Sequence, residues 1–306
     1  MRLLVTGASG LLGLNLSLVA ADQGHRVIGL THQNGLRGVP FDLYSVNLLE
    51  MAGALATIES TQPEAIIHCA AVADLNVAEK EPALARRLNA DAAGQLAGAA
   101  ARWGIPIIHI STDAVFDGVS GGYDEGSLTN PLSVYAQTKL EGEQVVSDRN
   151  PDAIIARVVF FGWSMPGNRS LAEFFFNNLR EGRRVKGFTD TLFSPLYTED
   201  LAEVLLEMLA AGLSGLYHVV SPAHMSKYDF GVRIAERFGF DADLIEPIHM
   251  HEIARGAPRA LNLVLRPEKV QAELGHPLPS VDAGIERFYQ RWQEAYPQQL
   301  QSYAVQ

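Results

Sequence analysis

Three observations predict an α/β fold built on a doubly wound parallel sheet, with a smaller mixed α/β lobe toward the C-terminus. The chain opens MRLLVTGASGLLG, an apolar run over 2–6 followed by glycines at 7, 10 and 13 and a helical apolar pattern through Leu16 and Val19. Strand-like apolar runs then alternate with helical patterns as far as about residue 157. That alternation is the rhythm of βαβ units, whose parallel strands are covered on both faces. Beyond Arg157 the rhythm loosens, as expected of a lobe inserted between and after the later strands.

Strand, glycine turn and helix in that order form the context of a dinucleotide fingerprint. Gly7 permits the tight turn, Gly10 lets backbone N–H groups approach a pyrophosphate, and Gly13 lets the helix lie close on the strand. The helix N-terminus then offers free N–H groups and partial positive charge to the phosphates. Ser9, Leu11 and Leu12 complete this candidate cradle. The spacing, Gly-x-x-Gly-x-x-Gly, is one residue longer in its first gap than the usual dinucleotide pattern. The expected division is therefore a Rossmann-type dinucleotide domain over 1–157, with later strands from about 185–222, and a mainly substrate-binding lobe over 158–306.

A second strand is expected over 25–30. An acid usually ends this strand when NAD is bound, for the ribose 2′-OH. Here Thr31, His32 and Gln33 follow instead, with Arg37 a few residues on to meet a 2′-phosphate. This favours NADP(H) and leaves NAD(H) open, with His32 and Arg37 as candidate contacts. A third strand near 39–43, a helix over 48–59 and a buried strand over 64–68 follow. They lead into Cys69-Ala70-Ala71, where Ala70 and Ala71 are small enough for a close cofactor. One long helix is expected over about 82–103, with Asn89 in its middle, then a strand over 105–110.

Ser111-Thr112-Asp113 ends that strand, where open parallel sheets bind their ligands. A new helix opens at 130–133 and carries Tyr135 and, four residues later, Lys139. Residues at i and i+4 share a helix face, so phenol and ammonium can serve one site. A nearby ammonium favours the phenolate and is expected to lower the tyrosine pKa, as a tyrosine general acid requires.

The formal charge of −11 argues against a nucleic-acid partner. No apolar run is long enough to span a membrane, and the single cysteine, Cys69, excludes an intrachain disulfide framework. A cytoplasmic protein is the expectation. His249 and His251 are two potential metal ligands without a third, so no metal is expected.

The glycine turn, Asn89, Ser111-Thr112-Asp113 and Tyr135-x-x-x-Lys139, in that order, resemble the extended short-chain dehydrogenase/reductase family. STDAVFDG (111–118), NPLSVYAQTKLEGE (130–143), Arg157, FSPLYTEDLA (193–202) and GLYHVVSP (215–222) are similar to the dTDP-4-dehydrorhamnose reductases and their relatives. The resemblance implies Tyr135 as proton donor, Lys139 on the nicotinamide ribose and Thr112 on the reacting carbonyl, with Ser111 as the fallback. It also implies Asn89 as support for the lysine, and Asp113, Ala114, Asn168, Arg259 and Asn262 toward the substrate. The relatives usually carry Tyr where this chain has Ala114, often an acid where it has Asn76, and often Thr-Ser-Trp where it has Val158-Val159-Phe160-Phe161. The implied activity is NAD(P)H-dependent reduction of a keto group on a nucleotide-linked 4-keto-6-deoxysugar. A sugar-nucleotide epimerase or dehydratase, and a non-catalytic binder like the regulatory β-subunit of methionine adenosyltransferase, stay open beside it, as does a homodimer.

In the C-terminal portion, helices are expected over 171–181, 199–211, 228–238 and 281–296, and a strand over 216–220. Arg183, Arg184 and Lys186 form a basic cluster suited equally to a diphosphate or to a solvated helix end.

Overall fold

Leu3 and Val5 fall in one buried cluster while Leu4, between them, falls in another, because successive side chains leave a strand on opposite faces. A strand apolar on both faces must be covered on both. The computed structural model, which describes residues 1–252 and 260–305, shows how. Seven strands form one sheet: β1 (Arg2–Thr6), β2 (Arg26–Thr31), β3 (Asp42–Ser45), β4 (Ala65–His68), β5 (Ile107–Thr112), β6 (Ile154–Val158) and β7 (Gly215–Val219). All pairings are parallel, in the order β3-β2-β1-β4-β5-β6-β7. The predicted doubly wound Rossmann sheet is the observed one.

The helices that matter to the site are α1 (Leu11–Asp22), α2 (Met51–Thr61), α3 (Ala93–Trp103), α4 (Val134–Arg149), α5 (Leu171–Arg180) and α6 (Thr198–Ala210). Leu12, Leu16 and Val19 of α1 and Leu201, Leu205 and Met208 of α6 bury one face of the sheet. Ala54 and Ile58 of α2, Leu96, Ala97 and Ala100 of α3, and Val146 of α4 bury the other. The C-terminal portion packs around a second core, rich in aromatic rings (Phe161, Trp163, Phe175, Phe176, Tyr197, Phe230 and Phe288), which it shares with Leu14 and Leu18 of α1. The Trp163 ring stacks on Phe288 with centroids 3.9 Å apart.

Several boundaries differ from the sequence expectation, each for a local reason. The third strand starts at Asp42 and β5 at Ile107, just past Pro40 and Pro106, which have no N–H to give a ladder. As a result Ser111 and Thr112 lie inside β5, paired with Arg157 and Val158, rather than after it. The helix expected over 82–103 is interrupted by a π-helical turn, Arg87–Ala92. Asn89 sits in that turn, fully buried, and single π turns of this kind are frequent at functional sites. The last long helix stops at Gln293, because Ala295 takes a left-handed φ of 60°. Of the 185–222 stretch, only Gly215–Val219 joins the central sheet; Val185–Phe188 pairs instead with Ile245–Ile248. Val185 and Ile245 belong to this second core, which draws the strand away from the sheet.

Helix α4 lies unusually close to the π turn. A Cβ on Gly142 would stand 2.3 Å from the Asn89 carbonyl oxygen, a backbone atom that cannot step aside. Gly98, in the middle of α3, meets nothing nearer than 3.6 Å. Gly142→Ala should lower stability by about 1–3 kcal/mol or more, whereas Gly98→Ala should raise it by about 0.5–1 kcal/mol. Urea-unfolding midpoints of the two variants check both signs.

Candidate active site

The strand order reverses between β1 and β4, and open parallel sheets bind ligands at such a point. Gly7 ends β1 with φ 66°, and a Cβ there would lie 2.9 Å from the backbone N and Cα of Ala70. The glycine turn and the loop after β4 are therefore in contact. A Cβ on Gly13 would come within 2.2 Å of the Gly7 carbonyl oxygen, so α1 can start this close to β1 only with glycine. Gly10 caps α1, and no side chain caps the first turn, which begins with Leu11, Leu12 and Gly13. An uncapped N-terminus of this kind suits an anion.

In front of it opens a cavity of about 400 Å³, lined by Gly7, Ser9, Gly10, Thr31, His32, Ala70, Ala71 and the apolar Val46, Leu48, Val72 and Leu88, among others. Its size and mixed lining suit a small-molecule cofactor. Arg37 does not line it; the Arg37 backbone N–H donates instead to the Tyr303 carbonyl. A residue the sequence reading passed over does: Arg169, on the loop before α5. The available signal was its place just before Ser170-Leu171-Ala172-Glu173, a capping-box sequence that fixes where the loop ends.

Beside the cavity, β5 and α4 bring the expected catalytic side chains together. The Thr112 hydroxyl lies near the Tyr135 phenol, donates to Asp113 Oδ1 at 3.0 Å and accepts the Ala114 N–H at 3.2 Å. Tyr135 keeps part of its surface open, yet the protein packed around its hydroxyl pushes its pKa up to about 12. The Thr112 hydroxyl works against that rise and the Asp113 charge adds to it. The sequence expectation of a lowered phenol pKa is thus not met within the polypeptide. The reason is where Lys139 goes: its Nζ donates to the Ile110 carbonyl at 2.6 Å and lies 3.3 Å from His109 Nε2. Burial draws the Lys139 pKa down to about 8, against the opposing pull of Glu143.

Asn89 does not touch Lys139. Its side chain accepts the Val72 N–H at 2.8 Å, donates to the Val72 carbonyl at 3.2 Å, and donates to Thr138 Oγ1 at 3.0 Å. It ties the cavity wall to the residue preceding Lys139. Ser111 donates to Glu143 Oε1 at 2.5 Å, and Glu143 is held by a buried Arg157 at 2.7 and 3.0 Å. Asp113, buried, has its carboxyl pushed up to about 6, partly offset by the Thr112 hydrogen bond and the Lys227 charge. Asn262 packs its side chain against Gly121 and donates to the Ser120 carbonyl at 3.3 Å. Asn168 is exposed on the loop beside Arg169. Arg259 lies outside the described residues.

Under this site lies a buried pair of histidines. His68 Nδ1 bonds Thr6 Oγ1 at 2.7 Å, and its ring stacks on His109 with centroids 5.4 Å apart. Burial first, and the Lys139 charge second, hold the His68 pKa down at about 3 and that of His109 well below its ordinary value. Both rings are therefore neutral, and His109 faces the lysine as an uncharged acceptor.

A profile of the RmlD substrate binding domain matches residues 1–294. The "Probable low-salt glycan biosynthesis reductase" of Haloferax volcanii is 36% identical over 284 residues, 91% of this chain and 94% of that protein. The methionine adenosyltransferase 2 subunit beta of Xenopus tropicalis is 33% identical over 277 residues, 88% of this chain and 81% of that protein. Among solved structures, the dTDP-4-dehydrorhamnose reductase of Bacillus anthracis in complex with NADP superposes with a TM-score of 0.83 at 25% identity. That match covers 95% of this chain and 98% of that one.

Neutral buried histidines make the fold acid-sensitive. On unfolding, His68 and His218 (held at about 3 by burial and then by Arg157) each take up a proton wherever pH lies between about 3 and 6.5. Their contribution to stability is complete above 6.5 and is lost as pH falls through that window. Asp113 and Asp200, both pushed up to about 6, bind protons in the folded state between 3.8 and about 6 and partly offset this loss. Thermal melts should fall from pH 7 toward pH 4. His68→Asn should flatten the stability slope within the window by up to ~1.4 kcal/mol per pH unit.

Proposed function

The chain belongs to the RmlD substrate binding domain family, whose reductases serve sugar-nucleotide biosynthesis, and on that footing we propose that it reduces the keto group of a nucleotide-linked 4-keto-6-deoxysugar. The observation that carries this reading is the approach of the Tyr135 phenol to Thr112 at the end of β5, beside the glycine-lined cavity. A nicotinamide dinucleotide would supply the hydride when bound. The cavity suits it: glycine backbone and the α1 N-terminus for the phosphates, apolar side chains for the base. NADP(H) is the preferred form and NAD(H) the second, because no carboxylate lines the cavity among the described residues. A carboxylate there would favour a free ribose 2′-OH and repel a 2′-phosphate.

In the reductive direction the general acid must start out protonated. Tyr135 meets this condition: a phenol is neutral at neutral pH, and burial pushes its pKa up further, to about 12. Thr112 orients the carbonyl and, with Tyr135, stabilises the negative charge that develops on its oxygen. Lys139 keeps a positive charge one helical turn away, and the ribose hydroxyl is the partner this reading assigns to its amine. Asp113 and Asn168 are the residues this reading assigns to the sugar. Ala114, with its small side chain, would leave room for the sugar beside them.

A second reading, a nucleotide-binding regulatory subunit, is favoured by the similarity to the Xenopus tropicalis subunit. The two readings separate when purified protein is mixed with NADPH and a panel of 4-keto-6-deoxysugar nucleotides and the reduced-nicotinamide absorbance is followed. Cofactor consumption supports the reductase; binding with no turnover on any member of the panel supports the regulatory subunit. Tyr135→Phe should lower kcat by about 10²–10⁴-fold while leaving the dissociation constant for NADPH nearly unchanged. Undiminished turnover in that variant would remove Tyr135 from the mechanism.

A further inference from the structure

Resting on the dinucleotide reading above, the geometry points to Arg169 as the cation that grips a phosphate of the bound dinucleotide, reaching the N-terminal domain's cavity from the C-terminal lobe. Three observations carry the assignment. First, charge. Among the described residues lining the cavity there is no Asp, Glu or Lys, and Arg169 is the one with a permanent charge. Its side chain is exposed and has no hydrogen-bond or ion-pair partner among the described residues. In a protein of net charge −11 this guanidinium is left uncommitted, the nearby Glu173 carboxylate binding backbone N–H groups instead.

Second, placement. The loop that carries Arg169 is held rigidly although the side chain is free. Glu173, fully buried at the start of α5, accepts the Ser164 N–H at 2.6 Å, the Arg169 N–H at 2.8 Å and the Ser170 N–H at 3.1 Å. Ser170 returns the interaction by capping α5 and donates to the Gly162 carbonyl at 2.7 Å. Removing a carboxylate from water in this way costs free energy, and what it secures here is the backbone on both sides of Arg169.

Third, proximity to the phosphate cradle. Asn15 of α1 donates to the Leu11 carbonyl at 2.7 Å and to the Trp163 carbonyl at 3.0 Å. The loop is therefore fastened to the first turn of the helix whose uncapped N–H groups face the cavity. A guanidinium arriving from this side complements that helix end: backbone N–H groups hold one side of a phosphate and a planar five-donor fork holds another. The shared chemistry is a phosphate monoanion or dianion, and two phosphates of the cofactor fit it, the diphosphate bridge and the 2′-phosphate.

The test is the affinity of purified full-length Arg169→Gln and Arg169→Lys for NADPH and for NADH, measured by calorimetry, with melting temperatures to verify folding. Losing a charge-assisted hydrogen bond should weaken binding by about 10- to 100-fold, and Arg169→Lys should recover part of it. Wild-type binding should also fall with added salt more steeply than that of Arg169→Gln. Equal loss for NADPH and NADH assigns the diphosphate; loss confined to NADPH assigns the 2′-phosphate; both support the proposal. Wild-type affinity for both cofactors in Arg169→Gln overturns it while leaving the dinucleotide reading intact. A wild-type protein that binds neither cofactor overturns both.

Discussion

Two charges buried one turn apart on a single helix hold the site in register. Lys139 and Glu143 of α4 are 2% and 5% exposed, and neither would be tolerated there without partners. Lys139 finds the Ile110 carbonyl and Glu143 finds Arg157 and Ser111, so all three partners belong to β5 and β6. Breaking a buried pair of this kind costs about 3–5 kcal/mol, because the remaining charge is left unsolvated. That penalty locks α4 against the sheet in one rotation and one register. Tyr135, at the start of the same helix, is thereby delivered to Thr112 at the end of β5.

The same packing explains the state of the titrating groups. His68 and His109 lie beneath Lys139 and stay neutral, so the lysine charge stands without a second cation beside it. Cys69, next in the chain, has its thiol pushed up to about 12 by burial and is no nucleophile at neutral pH. The phenol is also held in its neutral form.

The C-terminal lobe meets the N-terminal part through a shared apolar core, in which Leu14 and Leu18 of α1 and Leu36 pack with the lobe's aromatic rings, and through short polar links. Asn15 of α1 bonds the Trp163 carbonyl and accepts from the Tyr296 hydroxyl, while Leu36 bridges Ala304 and the Arg37 N–H reaches the Tyr303 carbonyl. The Asn15 link holds the loop before α5, and with it Arg169, at the cavity. The shared aromatic core gives it a firm base. Sequence alone assigned the lobe to the substrate; the structure gives it a share in the cavity as well.

The glycine spacing, the strand–helix alternation and the pair of Tyr135 and Lys139 were legible in the sequence, because each is a local pattern with a local physical cause. They determined the parallel sheet, the cradle at Gly7 to Gly13 and the membership of α4 in the site. The π turn at Asn89, the commitment of Ser111 to Glu143, the direction of Lys139 and the raised pKa of Tyr135 were not legible. Each depends on which group burial brings opposite another, over separations of up to about fifty residues for Asn89 and Thr138. Arg37 and Arg169 show the same division. Both are arginines in loops, alike to any reading of the chain, and only the folding of the second lobe onto α1 decides which of them faces the cavity.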